Sequence, residues 1–313
     1  MMSKTLILPV IIIIISLMMI VLSLSSTFGL DSLAKDTPFQ RPFSWKHPLG
    51  TDEFGYDLLQ KLIASSRAYL APCLIASGLT LCFGTLLGCI SGYYTPSVGM
   101  KGYYQSLDQH IAGLLHLAFN KFIQYIFYLI ESLPQLALIL LGCLVISTRI
   151  SADSSNTFDP YMHWIAISLG LMGAMKLGNI IRNQIISLRR ETFIEAAVEL
   201  GLTDMKIIWR HLLKTRLKFP IVSHLFHVCA EVIFTETTLR FLFHTIGVKH
   251  SWGKMLVDAK MWIFNKQVVR HLGSDPIHLW WLWFFPALII CLNIIAFYLL
   301  AEAFSPNLTQ KSM

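Results

Sequence analysis

The chain has 313 residues, of which 55% are hydrophobic and only 14% charged, with a mean hydropathy of +0.59. Soluble domains carry charge at about a quarter of their positions, so the composition excludes an ordinary soluble enzyme and points to an all-α integral membrane protein. The length holds about five to seven spanning helices but no further catalytic domain of ordinary size, so any large soluble activity belongs to another chain.

The formal charge of +7 is spread among apolar segments, without a basic tail or nucleic-acid motif, and reads as basic loops beside a membrane, not as a nucleic-acid surface. Cys73, Cys82, Cys89, Cys143, Cys229 and Cys291 lie singly in apolar stretches and read as packing residues, with neither disulfide nor metal spacing.

Thr5 to Leu24 is an uncharged run after Lys4. It is longer than the apolar region of a signal peptide and predicts a retained first span. The stretch from Asp31 to Arg67 is too charged to span, and an uncharged run from Ala68 to Met100 predicts the second helix. Within it Gly84, Gly88 and Gly92 recur every four residues, a face on which a neighbouring helix can approach closely. Further spans are expected at Phe122 to Ile146, which contains Glu131 and Pro134, then Trp164 to Ile181, Phe219 to Leu239 and Trp280 to Ala301. Trp280, Trp281 and Trp283 suit a membrane interface. On this layout Glu131 and Lys176 fall near the cytoplasmic ends of their spans and receive no chemical role. Lys and Arg divide evenly between the two sides, so orientation rests weakly on the basic density between Arg182 and Lys218.

That Arg182 to Lys218 segment has the punctuation of two short helices. Gly201 ends the first, while Thr203 and Asp204 suit the start of the second. Ala196 and Ala197 let a partner approach the backbone, with Arg189, Arg190, Glu195 and Glu199 around them. The second helix places Ile207, Ile208, His211 and Leu212 on or near one side.

Glu195-Ala196-Ala197, followed by Gly201, Ile207 and His211, resembles the EAA motif of bacterial binding-protein-dependent ABC importer permeases. His47-Pro48-Leu49-Gly50-Thr51-Asp52, with Gly55 and Asp57, is similar to the HPLGTD signature of the C-type permease subunits of dipeptide, oligopeptide and nickel importers. Ser251-Trp252-Gly253, with Met255 and Leu256, matches their SWGxML signature. Tyr56 in place of the usual Arg and Lys214 in place of a common Pro depart from the pattern.

The resemblance implies a type I ABC importer transmembrane domain of about six helices at the bacterial inner membrane, with both termini cytoplasmic. It implies a homologous permease partner, two cytoplasmic ATPases docked on Glu195, Ala196, Ala197, Gly201, Ile207 and His211, and an external solute-binding protein. ATP and Mg would sit on the partners, since the sequence has no GxxxxGK[ST] loop, and no cofactor is expected on this chain. Residues 1–65 then form the first span and external signature segment, 66–304 the permease domain with its coupling loop at about 182–218, and 305–313 a cytoplasmic tail. The resemblance further implies that the solute is a peptide or a related small solute, with nickel or a metal chelate as an alternative.

The fifth span carries His224, His227 and Glu231 within roughly 60° of one another, and ionisable groups at membrane depth face protein or water. Two readings stand: a stripe lining the translocation path, or groups satisfied by neighbouring helices. Glu236, in TETTLRFL, resembles the family's AEASLSFL and reads as structural. Asp52, Glu53 and Asp57 read as capping and docking residues. No metal site is assigned. An ATP-independent channel or secondary transporter has no use for the EAA segment, and an intramembrane hydrolase lacks HExxH or GxSxG.

Overall fold

The structure is a computed structural model, and it describes residues 2–24, 35–93, 107–149, 160–189, 191–203, 206–243, 251–264 and 279–305. The tail after Ser305, the run Tyr94 to Met100, Arg190 and Asp204 lie outside the described residues, as do the side chains of Glu195 and His211. Among the described residues the regular structure is helical: α1 Met2–Leu24, α2 Leu58–Tyr93, α3 Leu107–Ser132, α4 Gln135–Arg149, α5 Pro160–Leu188, α6 Thr192–Glu199, α7 Ile207–Leu242, α8 Trp252–Phe264 and α9 Trp281–Ala303.

Four of these, α2, α5, α7 and α9, are long and apolar enough to cross a membrane. The pair Lys121–Ser132 and Gln135–Thr148 is apolar enough to cross only if taken together, and it is bent by 79°, as in a broken span or a re-entrant loop. Pro134 stands in the bend, where it lacks an amide proton and disfavours helix at the residue before it. In α1 the stretch Ile7–Met19 is a shorter apolar helix. These six regions correspond in order to the six expected spans.

Three boundaries differ from expectation. Helix α2 starts at Leu58, ten residues before the uncharged run. Asp57 caps it by accepting the Gln60 amide at 3.0 Å, and the buried Lys61 is neutralised by Asp52 at 2.6 Å. Helix α5 runs on to Leu188, which places Lys176 twelve residues, about 18 Å, from its C-terminal end. The second coupling helix is not separate: Ile207 continues through Lys218 into α7 as one 36-residue helix, with π-helical turns over Ile207–Leu217.

The chain forms two compact units. Unit 1 comprises Met1–Ile75, Ile139–Ala166 and Cys229–Leu300, and unit 2 comprises Ala76–Leu138, Ile167–Val228 and Ala301–Met313.

In unit 1 the HPLGTD segment is a tight loop, with Gly50 and Gly55 at φ +86° and +81°. A Cβ on Gly50 would lie 2.7 Å from the Gln40 carbonyl, so the left-handed backbone and the close packing both call for glycine. Asp52 Oδ1 accepts the amides of Phe54 and Tyr56 at 2.9 and 2.8 Å. His47 Nδ1 lies 2.8 Å from Asp57 Oδ2 and Nε2 lies 3.2 Å from Asp36 Oδ2. Lys46, the Thr37 amide and His47 hold the Asp36 carboxyl below the usual carboxylate range, whereas burial raises that of Glu53.

The HPLGTD, SWGxML and TETTLRFL segments all belong to this unit. Trp281 of α9 donates to the Thr51 carbonyl at 3.4 Å and Trp252 of α8 donates to that of Leu62 at 2.9 Å. Glu236, 1% exposed, accepts from Tyr69 and Ser251 at 2.6 Å each and pairs with Arg240 one turn along α7. A Cβ on Gly253 would lie 2.7 Å from Glu236 Oε2. A buried carboxylate is tolerated where such partners replace its hydration.

In unit 2 the glycines of α2 lie against α5. A Cβ on Gly84 would come within 3.0 Å of Ala174 O, one on Gly88 within 2.7 Å of Gly178 O, and one on Gly92 within 3.0 Å of Arg182 Cα. The backbones approach where side chains are smallest, so helix contact is made through direct van der Waals packing.

Candidate functional site: the EAA segment and the polar faces of unit 2

Helix α6 is amphipathic and short, and its inner side carries Ile194 and Ala197, 4% and 5% exposed. They join a core made by Cys89 and Tyr93 of α2, Leu177, Ile181 and Ile185 of α5, and Ile207, Leu212 and Leu217 of α7. Arg189 fastens the end of α5 to that of α2, hydrogen-bonding the Tyr93 carbonyl with its guanidinium over the Tyr93 ring. Gly201 takes φ +73° with open space around its α-carbon, so its requirement is conformational, ending α6 in the left-handed region.

The predicted coupling residues therefore separate into two sets. Ala197 and Ile207 are buried in the unit's own core, whereas Ala196 and Gly201 are exposed. Two large apolar side chains stand out of the same segment: Leu200 is 81% exposed and Trp209 is 65% exposed. Neither is singled out by the sequence. The available signal is an apolar residue within otherwise charged, turn-forming stretches, and periodicity assigns such a residue to the core by default.

The three residues expected on one face of the fifth span occupy different environments. His224 is buried, and its Nε2 lies 3.0 Å from the Gly173 carbonyl of α5. His227 and Glu231 are half-buried. The described residues contain no group of three or more His, Cys, Asp and Glu arranged to hold a metal ion.

A second polar face is not evident from the sequence. Three side chains of α5, Lys176, Asn179 and Arg182, stand one turn apart and meet three of the broken span in antiparallel order. Lys176 Nζ lies 3.5 Å from Gln135 Oε1, Asn179 Nδ2 3.5 Å from Glu131 Oε1, and Arg182 Nη2 3.4 Å from Gln124 Oε1. Glu131 is exposed and the other five are half-buried. The Arg182 Nε is buried without a hydrogen-bond partner among the described residues. Sequence reasoning passes over this row because a fourth span that ends at Ile181 moves Lys176 to a membrane edge.

Comparison with known proteins agrees with this layout. Residues 111–310 match the family model described as "Binding-protein-dependent transport system inner membrane component". The dipeptide transport system permease protein DppC of Alkalihalophilus pseudofirmus is 27% identical over 86% of this chain and 73% of its own length. The oligopeptide transport system permease protein OppC of Haemophilus influenzae is 25% identical over 85% of this chain and 70% of its own. The glutathione transport system permease protein GsiD of Pectobacterium atrosepticum is 24% identical over 85% and 73%. With apolar helices suited to crossing a membrane several times and a family model covering well over half its length, the chain belongs to the inner-membrane permeases of binding-protein-dependent ABC importers.

Proposed function

We propose that this permease forms one half of the translocation path of a peptide importer, paired with a homologous permease and supplied by an external solute-binding protein. The peptide assignment draws on the dipeptide, oligopeptide and glutathione systems named for its relatives. In this reading two cytoplasmic ATPases bind ATP and Mg, and this chain carries no nucleotide site. Residues 1–65 supply the first span and external segment, 66–304 the permease domain and 305–313 a cytoplasmic tail, with both termini cytoplasmic.

The observation that carries the proposal is the two-sided EAA segment. Ala197 and Ile207 anchor it to the permease core while Ala196, Leu200 and Trp209 point out of it. A face of this kind transmits a push, because displacement of α6 is resisted by close-packed side chains and passes into α2, α5 and α7. Glu195, Gly201 and His211 complete the proposed contact, with Gly201 setting the angle at which α6 leaves the turn. His224, His227 and Glu231 are proposed to line the path, His224 being oriented by the Gly173 carbonyl.

The test is copurification of the ATPases with the permease pair. Ala196→Arg is expected to abolish ATPase retention and ATP-driven uptake while leaving the two permeases paired, because Ala196 is exposed. Full ATPase retention by Ala196→Arg and by Leu200→Glu would refute the docking face. Stable uptake without any ATPase would refute the importer assignment itself.

A further inference from the structure

We infer that a slot between α1, α2 and α9 holds one acyl chain of a membrane phospholipid. The site needs only the membrane and is independent of which solute the permease carries.

The slot is a cavity of about 230 Å³ whose lining residues all belong to unit 1. Its floor includes the buried residues Met19, Leu62 and Asn293, and its rim includes Ile15, Leu59, Leu288 and Leu292, which are exposed. Apart from Ser16 and Asn293 its walls are Ile, Leu, Met and Phe side chains. Those two polar groups are already engaged. Ser16 Oγ lies 2.5 Å from Asn293 Oδ1 and 2.9 Å from the Ile12 carbonyl, and Asn293 Nδ2 donates to the Ile289 carbonyl at 2.8 Å. A buried water needs roughly two to four polar partners, whereas an apolar cavity of about 150 Å³ stays dry and accepts a hydrocarbon such as benzene. The slot is larger and nearly as apolar, so hydrocarbon is what supplies its walls with contacts.

Place and direction select the hydrocarbon. Helices α2 and α9 are long and apolar enough to cross a membrane, and the apolar stretch Ile7–Met19 of α1 forms the third wall. The lining runs from Ile12 to Met19 along α1 and from Phe285 to Asn293 along α9, about 10–12 Å in each case at 1.5 Å per residue. Membrane-crossing helices stand near the bilayer normal, so the slot lies parallel to the surrounding lipid chains. Its lining begins one turn along α9 from Trp281 and includes Leu49 of the HPLGTD loop. Trp280 and Trp283 are exposed at that end, as suits the headgroup level. A phospholipid whose headgroup sits among these tryptophans can lower one chain past Leu59 and Leu288 onto Leu62 and Met19. A whole helix, about 10–12 Å across, does not fit a slot of this volume. Filled, the slot joins α1 to α2 and α9 by continuous packing; empty, it leaves their facing side chains without those contacts.

The experiment uses the whole permease complex in vesicles of phosphatidylethanolamine and phosphatidylglycerol, doped with a phosphatidylethanolamine that carries a mid-chain diazirine. After irradiation, adducts are located by mass spectrometry. They are expected at Met19 or Leu62, buried residues that a chain reaches through the slot, as well as at the exposed Ile295 of α9. Ile289→Trp, which fills the slot, should lose the Met19 and Leu62 adducts and keep the one at Ile295. Leu292→Phe serves the same purpose if Ile289→Trp does not assemble. Absence of adducts from both Met19 and Leu62 in the unmodified complex overturns the site, as do floor adducts that persist undiminished in an assembled variant. A p-benzoylphenylalanine in place of Leu288 should cross-link to lipid. Its capture of a partner permease instead overturns the proposal and makes the slot a contact between proteins.

Discussion

The two units treat ionisable groups in opposite ways. In unit 1 Glu236 is sealed at 1% exposure and accepts from Tyr69 and Ser251 at 2.6 Å while pairing with Arg240. In unit 2 Lys176, Glu131 and Arg182 meet side-chain amides at 3.4 to 3.5 Å, and Arg182 also donates to Asn183 at 3.2 Å. The residue types are alike, yet one set is gathered around a single buried carboxylate and the other is spread along a partly exposed helix face. A network of short bonds around a buried carboxylate fixes one conformation, whereas charged contacts on a partly exposed face contribute little to stability. On this contrast the signature residues of unit 1 serve the fold.

The sharpest way to break the contrast is to open the closed network. Glu236→Leu leaves Arg240 buried without its carboxylate, and such a loss costs about 3–5 kcal/mol, so thermal unfolding of the purified complex should show gross destabilisation or failure to assemble. Glu236→Gln keeps a hydrogen-bonding carbonyl and should be milder. An assembly-competent Glu236→Leu protein with normal thermal stability ends the argument that this network holds unit 1.

A smaller effect is expected where unit 2 depends on close approach. The Cβ of Gly88→Val would start 2.7 Å from a backbone oxygen, whereas Gly78 has nothing within 4 Å. Gly88→Val should cost about 1–3 kcal/mol. Gly78→Ala should be neutral or stabilising by up to about 1 kcal/mol through helix propensity. Equal behaviour of the two variants in a thermal assay would remove the packing explanation.

The partly exposed row along α5 should respond hardly at all in stability. Lys176→Gln and Glu131→Gln are expected to shift unfolding by less than about 0.5 kcal/mol. A stability loss of Glu236 size in either variant would make the row structural and erase the difference between the units.

The smallest effect is a pH dependence in the external segment. Burial raises the Glu53 carboxyl above its ordinary value of 4.5. Its contribution to stability is therefore present below that value and lost as pH rises through the raised folded value. Asp36 is shifted downward, so its contribution is present above the ordinary value and lost as pH falls. Glu53→Gln should raise stability slightly at neutral pH and flatten the profile above about pH 4.5. Asp36→Asn should flatten the acid side instead. Melting curves from about pH 3 to about pH 8 check both signs.

Most of the helical layout is legible in the sequence because apolar runs of spanning length have one main use. The boundaries are less so. The second predicted span begins only after Arg67, yet Lys61 is buried against Asp52 within the helix that starts at Leu58, and no sequence pattern announces a partner drawn from elsewhere in the fold. The EAA segment is found by its motif. Its division into an anchored side with Ala197 and Ile207 and an exposed side with Ala196, Leu200 and Trp209 depends on which neighbours reach it.

The sequence by itself determined the solvent, through hydropathy, and the family, through three ordered signatures, since composition and local motifs need no knowledge of distant contacts. Only tertiary structure decided which charges are buried and which groups they meet. Tyr69 lies 167 residues from Glu236, and Lys176 lies 41 from Gln135. Whether a buried or half-buried charge is satisfied depends on groups that the fold alone brings within hydrogen-bonding distance.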